Sequence, residues 1–296
     1  MLRDAIRKSM ADIIISFIDT TNIVTLLATQ GLEIPVVVSE RANPALDNIG
    51  QIWRVLRRIT YPLSCALVLQ TEASTASLQG KFKVKVYTIP NPVDLPRKAE
   101  NARQVSSQPW AHTLFAMGRL VPQKGFDLLL RAFARVSQSH PDWFVKIVGA
   151  GPLKAQLENQ SEALEIKDRV HFLGAVSDPF PVFYSADLFV LSSRFEGFPN
   201  SLCEAMACGV PAISFDCPWG PSEIIRDGVD GVLVPPEDIP ALADALDRLM
   251  SDPEERTRLA ARAPEVLKRF SMEKVLSLWE KVFDEVLPSK QDNAHN

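Results

Sequence analysis

Two glutamates eight residues apart, in SSRFEGFPNSLCEAMACGVPAISFD at 192–216, are the groups in this sequence best arranged to act on a ligand. Glu196 falls in a loop behind the apolar run LFVL. Glu204 falls inside a helix whose start lies near Asn200 or Ser201, both residue types that cap helices. A helix N-terminus presents unbonded N–H groups and a partial positive charge, which seats a phosphate. One turn further on, a carboxylate such as Glu204 can accept hydrogen bonds from vicinal hydroxyls. Two carboxylates beside a phosphate seat describe a nucleotide-sugar site, although either glutamate alone reads as an ordinary solvated side chain.

Two cations precede them in GRLVPQKGFD at 118–127. Gly118 allows a tight turn at a strand's end, and Arg119 and Lys124 flank the turn before a helix. Positive charge at the carboxyl end of a strand suits an anionic ligand, because open α/β sheets bind ligands at that edge. Alone, the same residues describe a solvated loop. Gly149 and Gly151, in GAGP after WFVKIV, make a Gly-rich turn that admits close backbone approach. Lys154 stands where a dinucleotide fingerprint needs its third glycine, and no ribose-binding acid follows a strand about 20 residues later. A simple βα-turn packing role is the plainer reading of GAGP.

These residues need a frame. Short β-branched runs at 12–18, 35–39, 65–70, 84–89, 113–117, 144–148, 170–173, 188–191, 211–214 and 231–234 alternate with amphipathic stretches such as 126–137, 151–160, 201–207 and 240–250. Runs apolar throughout read as strands buried on both faces, and the alternation implies a doubly wound parallel α/β architecture. The stretch PNPVDLPRKAENARQVSSQPW at 90–110, with four prolines, is linker-like. Domains are therefore expected at 1–95 and 111–271, joined by a linker at 96–110. A helical pattern and tail at 272–296 packs on its own domain or crosses back to the first.

Composition narrows the classes. At 296 residues with 46% hydrophobic and 23% charged residues, the chain fits two soluble globular domains. Its apolar runs are too short to span a bilayer, and its four cysteines follow no metal-ligand spacing. A reduced cytoplasmic setting is the default. The net charge of −4 argues against a nucleic-acid partner, while residues 1–100 hold 12 Lys+Arg against 9 Asp+Glu. In QIWRVLRRITYPL at 51–63, Arg54, Arg57 and Arg58 lie beside Trp53 and Leu56 at helical spacing. That pattern suits either a surface helix or a weak contact with anionic lipid.

The order GRLVPQKGFD, VGAGP, RVHFLGAV, SSRFEGFPNSLCEAMACGVP, GVDGVLVPPED resembles the nucleotide-sugar domain of the retaining family-four glycosyltransferases, which have the GT-B fold. The likeness covers roughly residues 84–285. DIIISFIDTTNIVTLLA, PVVVSERANP and SFDCPWGPSEII are similar to a branch building bacterial surface polysaccharides and lipid-linked oligosaccharides. The resemblance implies two Rossmann-like domains. It implies transfer of a hexose or N-acetylhexosamine from a nucleotide-diphosphate sugar to a glycan or lipid-linked acceptor, with retention of configuration.

By the resemblance, Gly118, Arg119 and Lys124 hold the donor diphosphate, with Gly149 and Gly151 nearby. Backbone at Phe172, Leu173 and Gly174 reads the base. Glu196 and the backbone of Phe198, Pro199, Asn200 and Ser201 grip sugar and phosphate, and Glu204 binds the ribose. Glu196, Arg119 and Lys124 form the catalytic set. No Asp-x-Asp occurs, and neither metal nor other cofactor is expected.

Two departures stand out. Relatives carry a histidine just after the strand matching PVVVS, where this chain has Ser39 followed by Glu40 and Arg41, which become the acceptor-side candidates. The family's first strand and Gly-rich loop have no counterpart, so the first domain is expected to be incomplete, with nucleotide binding retained and transfer impaired. An inactive nucleotide-binding remnant and a nucleotide-sugar epimerase on the same fold remain as alternatives.

Overall fold

The computed structural model describes residues 1–41, 50–95 and 112–287. The linker expected at 96–110 and the tail after 287 lie outside them. The chain divides into two compact units: Met1–Pro92 with Met272–Asn296, and Val93–Ser271.

In the first unit, α1 (Leu2–Ser9), β1 (Ile14–Phe17), α2 (Asp19–Ala28), β2 (Val36–Ser39), α3 (Gly50–Thr60), β3 (Ala66–Leu69), α4 (Glu72–Leu78) and β4 (Lys85–Thr88) follow in turn. The four strands form one parallel sheet in the order β1-β2-β3-β4. Because side chains alternate along a strand, Val36, Val38, Leu67 and Leu69 face a core with Ile23, Leu26 and Tyr61. Val37, Ala66 and Val68 face the opposite side, where the C-terminal helix at Met272–Val286 lays Val275 and Val282 against them. Trp279 of that helix meets Phe17 edge-on at 6.3 Å, and Tyr87 donates to Glu285 at 2.8 Å. The helix thus belongs to the first unit.

Helix α3 corrects one expectation. Trp53 and Leu56 pack toward the core, and Arg57 lies within 3.8 Å of Glu40. These three do not join Arg54 and Arg58 on a solvent face. An inward-facing sheet demands apolar partners, and α3 meets it with that stripe. Its outward apolar residues are Ile52, Val55 and Ile59, which are 75%, 57% and 62% exposed.

The second unit runs β5 (His112–Met117), α5 (Phe126–Val136), β6 (Trp143–Val148), α6 (Lys154–Ala163), β7 (Val170–Gly174), α7 (Phe180–Tyr184), β8 (Leu188–Leu191), α8 (Asn200–Ala207), β9 (Ala212–Phe215), α9 (Pro221–Ile224), β10 (Gly231–Val234), α10 (Ile239–Ser251), α11 (Pro253–Arg262) and α12 (Val266–Arg269). The C-terminal helix is α13. Its sheet is parallel, in the order β10-β9-β8-β5-β6-β7. One face packs on α5 and α10 through Leu129, Phe133, Leu242 and Leu246. The other packs on α7 and α8 through Phe115, Phe183, Phe189, Leu202 and Met206. This is a Rossmann-like domain, and its strand order reverses between β5 and β8. Ligands of such sheets bind outside the carboxyl ends of the strands at that reversal.

Candidate functional site

The loops leaving β5 and β8 meet at the reversal and are stitched together. Arg194 N donates to Gln123 O at 2.8 Å, Gln123 Nε2 to Phe195 O at 3.0 Å, and Ser192 Oγ to Lys124 O at 2.9 Å. Arg194 also donates to both Asp127 carboxylate oxygens, at 2.9 and 2.8 Å, and to Glu237 at 3.0 Å. Burial alone would raise the Asp127 pKa, but the Arg194 hydrogen bonds and charge outweigh it and hold the carboxyl below its ordinary value. A planar guanidinium fork fixes two partners at once. It ties the start of α5 to the β8 loop.

That stitching brings two sequence-predicted residues together. Lys124 Nζ donates to Glu196 Oε1 at 2.6 Å, and Ser193 Oγ donates to the same oxygen at 2.6 Å. Lys124 and Glu196 side chains are 16% and 6% exposed, so this pair is largely shielded from water. Gly118 leaves room for the Lys124 side chain, which a Cβ there would crowd at 3.0 Å. Arg119, by contrast, is exposed and has no side-chain partner among the described residues.

The α8 N-terminus differs from its expected form. Pro199 occupies the N-cap position and offers no side-chain cap, so neither Asn200 nor Ser201 closes the helix. Proline fixes the entry backbone but has no side-chain acceptor, and the first turn of the helix holds no acidic residue. Phe198 turns its ring into the core, edge-on to Phe270 at 5.4 Å, so only its backbone remains for a ligand. The Glu204 side chain is half-buried, and its carboxylate makes no hydrogen bond or ion pair among the described residues; burial raises its pKa.

Gly149 and Gly151 let neighbouring turns lie on each other. A Cβ on Gly149, whose φ is +146°, would overlap Gly118 O, and one on Gly151 would overlap Leu120 O. Gly149 N also donates to Gly174 O at 2.8 Å, which fixes the end of β7. Phe172 is half-buried against the core, and Leu173 is exposed. Glu40, in the first unit, is buried at 3% exposure and accepts the Tyr61 hydroxyl, while Asn22 Nδ2 donates to Tyr61 at 3.3 Å. Its carboxylate is engaged inside the unit. Arg41 is half-buried, bonds Asn91 and stands 4.6 Å over the Phe17 ring.

The sequence did not single out Arg194, Asp127 or Ser193. Ser193 and Arg194 stand inside the quoted motif, but Arg194 and Asp127 are 67 residues apart, so no local spacing links them.

The family model for glycosyl transferases group 1 matches residues 98–266, more than half of the chain. The chain belongs to this family. Among relatives of this family member, an exopolysaccharide phosphotransferase of Streptomyces coelicolor is 37% identical over 78% of this chain and 24% of its own length. An α-1,4-N-acetyl-D-galactosaminyltransferase of Campylobacter jejuni, whose name gives an undecaprenol-PP-linked acceptor, is 32% identical over 96% of this chain and 78% of its own. The Anabaena HepE structure, in complex with UDP and glucose, superposes with a TM-score of 0.81 at 21% identity, over 96% of this chain and 80% of that one. The chain therefore spans about a quarter of the first relative and most of the other two. The structural likeness supports the GT-B fold class.

Proposed function

We propose that this chain is a glycosyltransferase of bacterial surface-polysaccharide synthesis. It moves a hexose or N-acetylhexosamine from a nucleotide-diphosphate sugar to a glycan or lipid-linked acceptor, with retention of configuration. The observation that carries the reading is the meeting of the β5 and β8 loops at the strand-order reversal, where Lys124, Glu196 and the uncapped α8 N-terminus converge on one edge. The unpaired Arg119 guanidinium and the α8 N-terminus receive the diphosphate. Lys124, held by Glu196, adds positive charge where the leaving phosphate becomes more negative. Fixed charge of this kind stabilises a transition state without reorganisation. Glu204 accepts the ribose hydroxyls, which restores the hydrogen bonds its partial burial withholds. The backbone at the end of β7, Phe172–Gly174, reads the base. The cations and the helix stand in for a metal, in keeping with the lack of Asp-x-Asp.

Among the described residues, no helix is long and apolar enough to cross a membrane. The proposed setting is cytoplasmic, with Ile52, Val55 and Ile59 of α3 flanked by Arg54 and Arg58 for a peripheral contact with anionic lipid. Co-sedimentation that ignores the anionic fraction of vesicles would remove that contact from the proposal. The function itself is tested by calorimetry against uridine and guanosine diphosphate sugars, with and without EDTA, followed by NMR of the anomeric product. Chelator-resistant binding of one donor class and a retained anomer support it; absence of any nucleotide binding overturns it.

A further inference from the structure

Trp219 has no internal task. Among the described tryptophans, Trp53 packs on the first core, Trp143 is buried and stacked on His112 at 4.9 Å, and Trp279 pairs with Phe17 and Phe283. Trp219 is half-buried and joins no hydrophobic cluster, ring pair or hydrogen bond among the described residues. Its φ is +66°, a left-handed backbone that bulky side chains avoid.

The loop that holds it is fixed from both sides. Glu196 N donates to Pro218 O at 3.5 Å, which places this loop directly beside the Lys124–Glu196 pair. On the other side Gly220, with φ +128°, lies so close to Pro199 that a Cβ would stand 2.7 Å from its ring. Cys217 at the base of the loop is buried, and burial, with the nearby Glu196 and Asp216 charges, pushes its thiol up to about 12. A strained residue kept in place by surroundings of this kind points to use of its side chain.

We infer that Trp219 is a platform for a pyranose ring, set at the end of β9 next to Glu196; the inference rests on the function proposed above. One face of a pyranose presents C–H bonds that pack on the apolar indole face, while its rim of hydroxyls can accept the Nε1–H, which makes no hydrogen bond among the described residues. Both the donor sugar and the acceptor sugar have this chemistry.

The test uses the full chain and Trp219→Ala, Trp219→Phe and Trp219→Gly. Calorimetry with UDP, UDP-glucose and UDP-N-acetylglucosamine, or the guanosine equivalents where the wild type prefers them, is paired with acceptor KM. In Trp219→Ala the affinity for the nucleoside diphosphate is unchanged. Either nucleotide-sugar affinity falls about tenfold, which assigns the donor sugar, or acceptor KM rises about tenfold with donor affinity intact, which assigns the acceptor. Trp219→Phe recovers most of the loss. The Tm of Trp219→Gly stays close to that of the wild type, because relief of the strained φ offsets the little packing that a half-buried side chain outside the hydrophobic clusters supplies. Unchanged sugar affinity and unchanged acceptor KM overturn the inference. A Tm fall in Trp219→Gly as large as that of a core tryptophan, or loss of bare UDP affinity in Trp219→Ala, does so too. A wild-type chain that binds no nucleoside diphosphate refutes the functional reading itself, before any variant is made.

Discussion

The two sheets use the same parallel strands and apolar runs, yet only the second reverses its strand order; buried polar atoms without a hydrogen-bond partner among the described residues occur in the first unit too, at Asp19 Oδ2, Ser39 Oγ and Gln70 Nε2. The first sheet steps in one direction through β1, β2, β3 and β4, and the polar residue at the end of its second strand, Glu40, is taken up by Tyr61 within the unit. In the second sheet the order reverses between β5 and β8, and the adjacent loops are clamped by Arg194 and Gln123. The side chains of Arg119 and Glu204 beside them have no hydrogen-bond or ion-pair partner among the described residues. The ligand site is marked by unpartnered charged side chains beside the reversal of strand order, and neither residue type nor an unsatisfied polar atom alone reveals it. Glu40 and Glu204 are both carboxylates at the carboxyl end of a sheet, with opposite fates.

The contrast breaks most sharply at glycine. Gly149→Ala sets a Cβ against the Gly118 carbonyl in a conformation only glycine tolerates, and should cost about 3 kcal/mol or more. Gly80→Ala in the first unit has φ +76° but open space, and should cost about 1 kcal/mol. Chemical denaturation followed by near-UV circular dichroism compares them; equal losses would deny that the β5 and β6 turns pack against each other.

Next come the buried polar ties. Asp127→Asn keeps the shape but weakens the fork, and should cost about 1.5–3 kcal/mol while also weakening nucleotide binding, because the Lys124 and Glu196 loops loosen. Tyr61→Phe leaves Glu40 short of a donor and should cost about 1–3 kcal/mol with nucleotide affinity unchanged. Loss of nucleotide affinity in Tyr61→Phe would put Glu40 back among the ligand-facing groups.

The smallest effect is at Glu204. Burial raises its pKa in the folded chain, so the folded state holds its proton more tightly than the unfolded state does. Stability from this group is present below the unfolded pKa and is lost as pH rises through the folded value. Glu204→Gln should therefore raise Tm slightly at pH 7.5, with the gain vanishing near pH 4. Ribose hydroxyls bind the charged form, so nucleotide affinity should weaken as pH falls into that acid range. A Tm gain independent of pH would show that the carboxylate is already compensated.

Much of this architecture was legible because parallel strands must be apolar on both faces: each of the ten apolar runs overlaps one of the ten strands described, and the four that do not contain it whole miss one terminal residue. The first glycine of GAGP was legible as a turn, but its reason was not, since the Gly118 carbonyl that excludes a side chain lies 31 residues earlier. Long-range pairing also hid the Arg194–Asp127 fork. Helical periodicity identified α3 as amphipathic without saying which stripe faced inward: Trp53 and Leu56 packed in, and Ile52, Val55 and Ile59 were left out. The cap at α8 was misread because Asn200 and Ser201 are good N-cap types, whereas Pro199 had already set the entry backbone.

The central claim is that the β5–β8 edge holds a nucleoside diphosphate through its unengaged positive groups. Calorimetric titration of the full chain with UDP and with GDP, beside Arg119→Ala, tests it directly. Arg119 is exposed and unpaired among the described residues, so its removal leaves the fold intact while deleting a charge-assisted contact worth about 1.5–3 kcal/mol. The account predicts saturable binding of at least one nucleotide by the wild type and a loss of about tenfold to a hundredfold in the variant at unchanged Tm. Equal affinity in the two chains, or no binding by either, would contradict it.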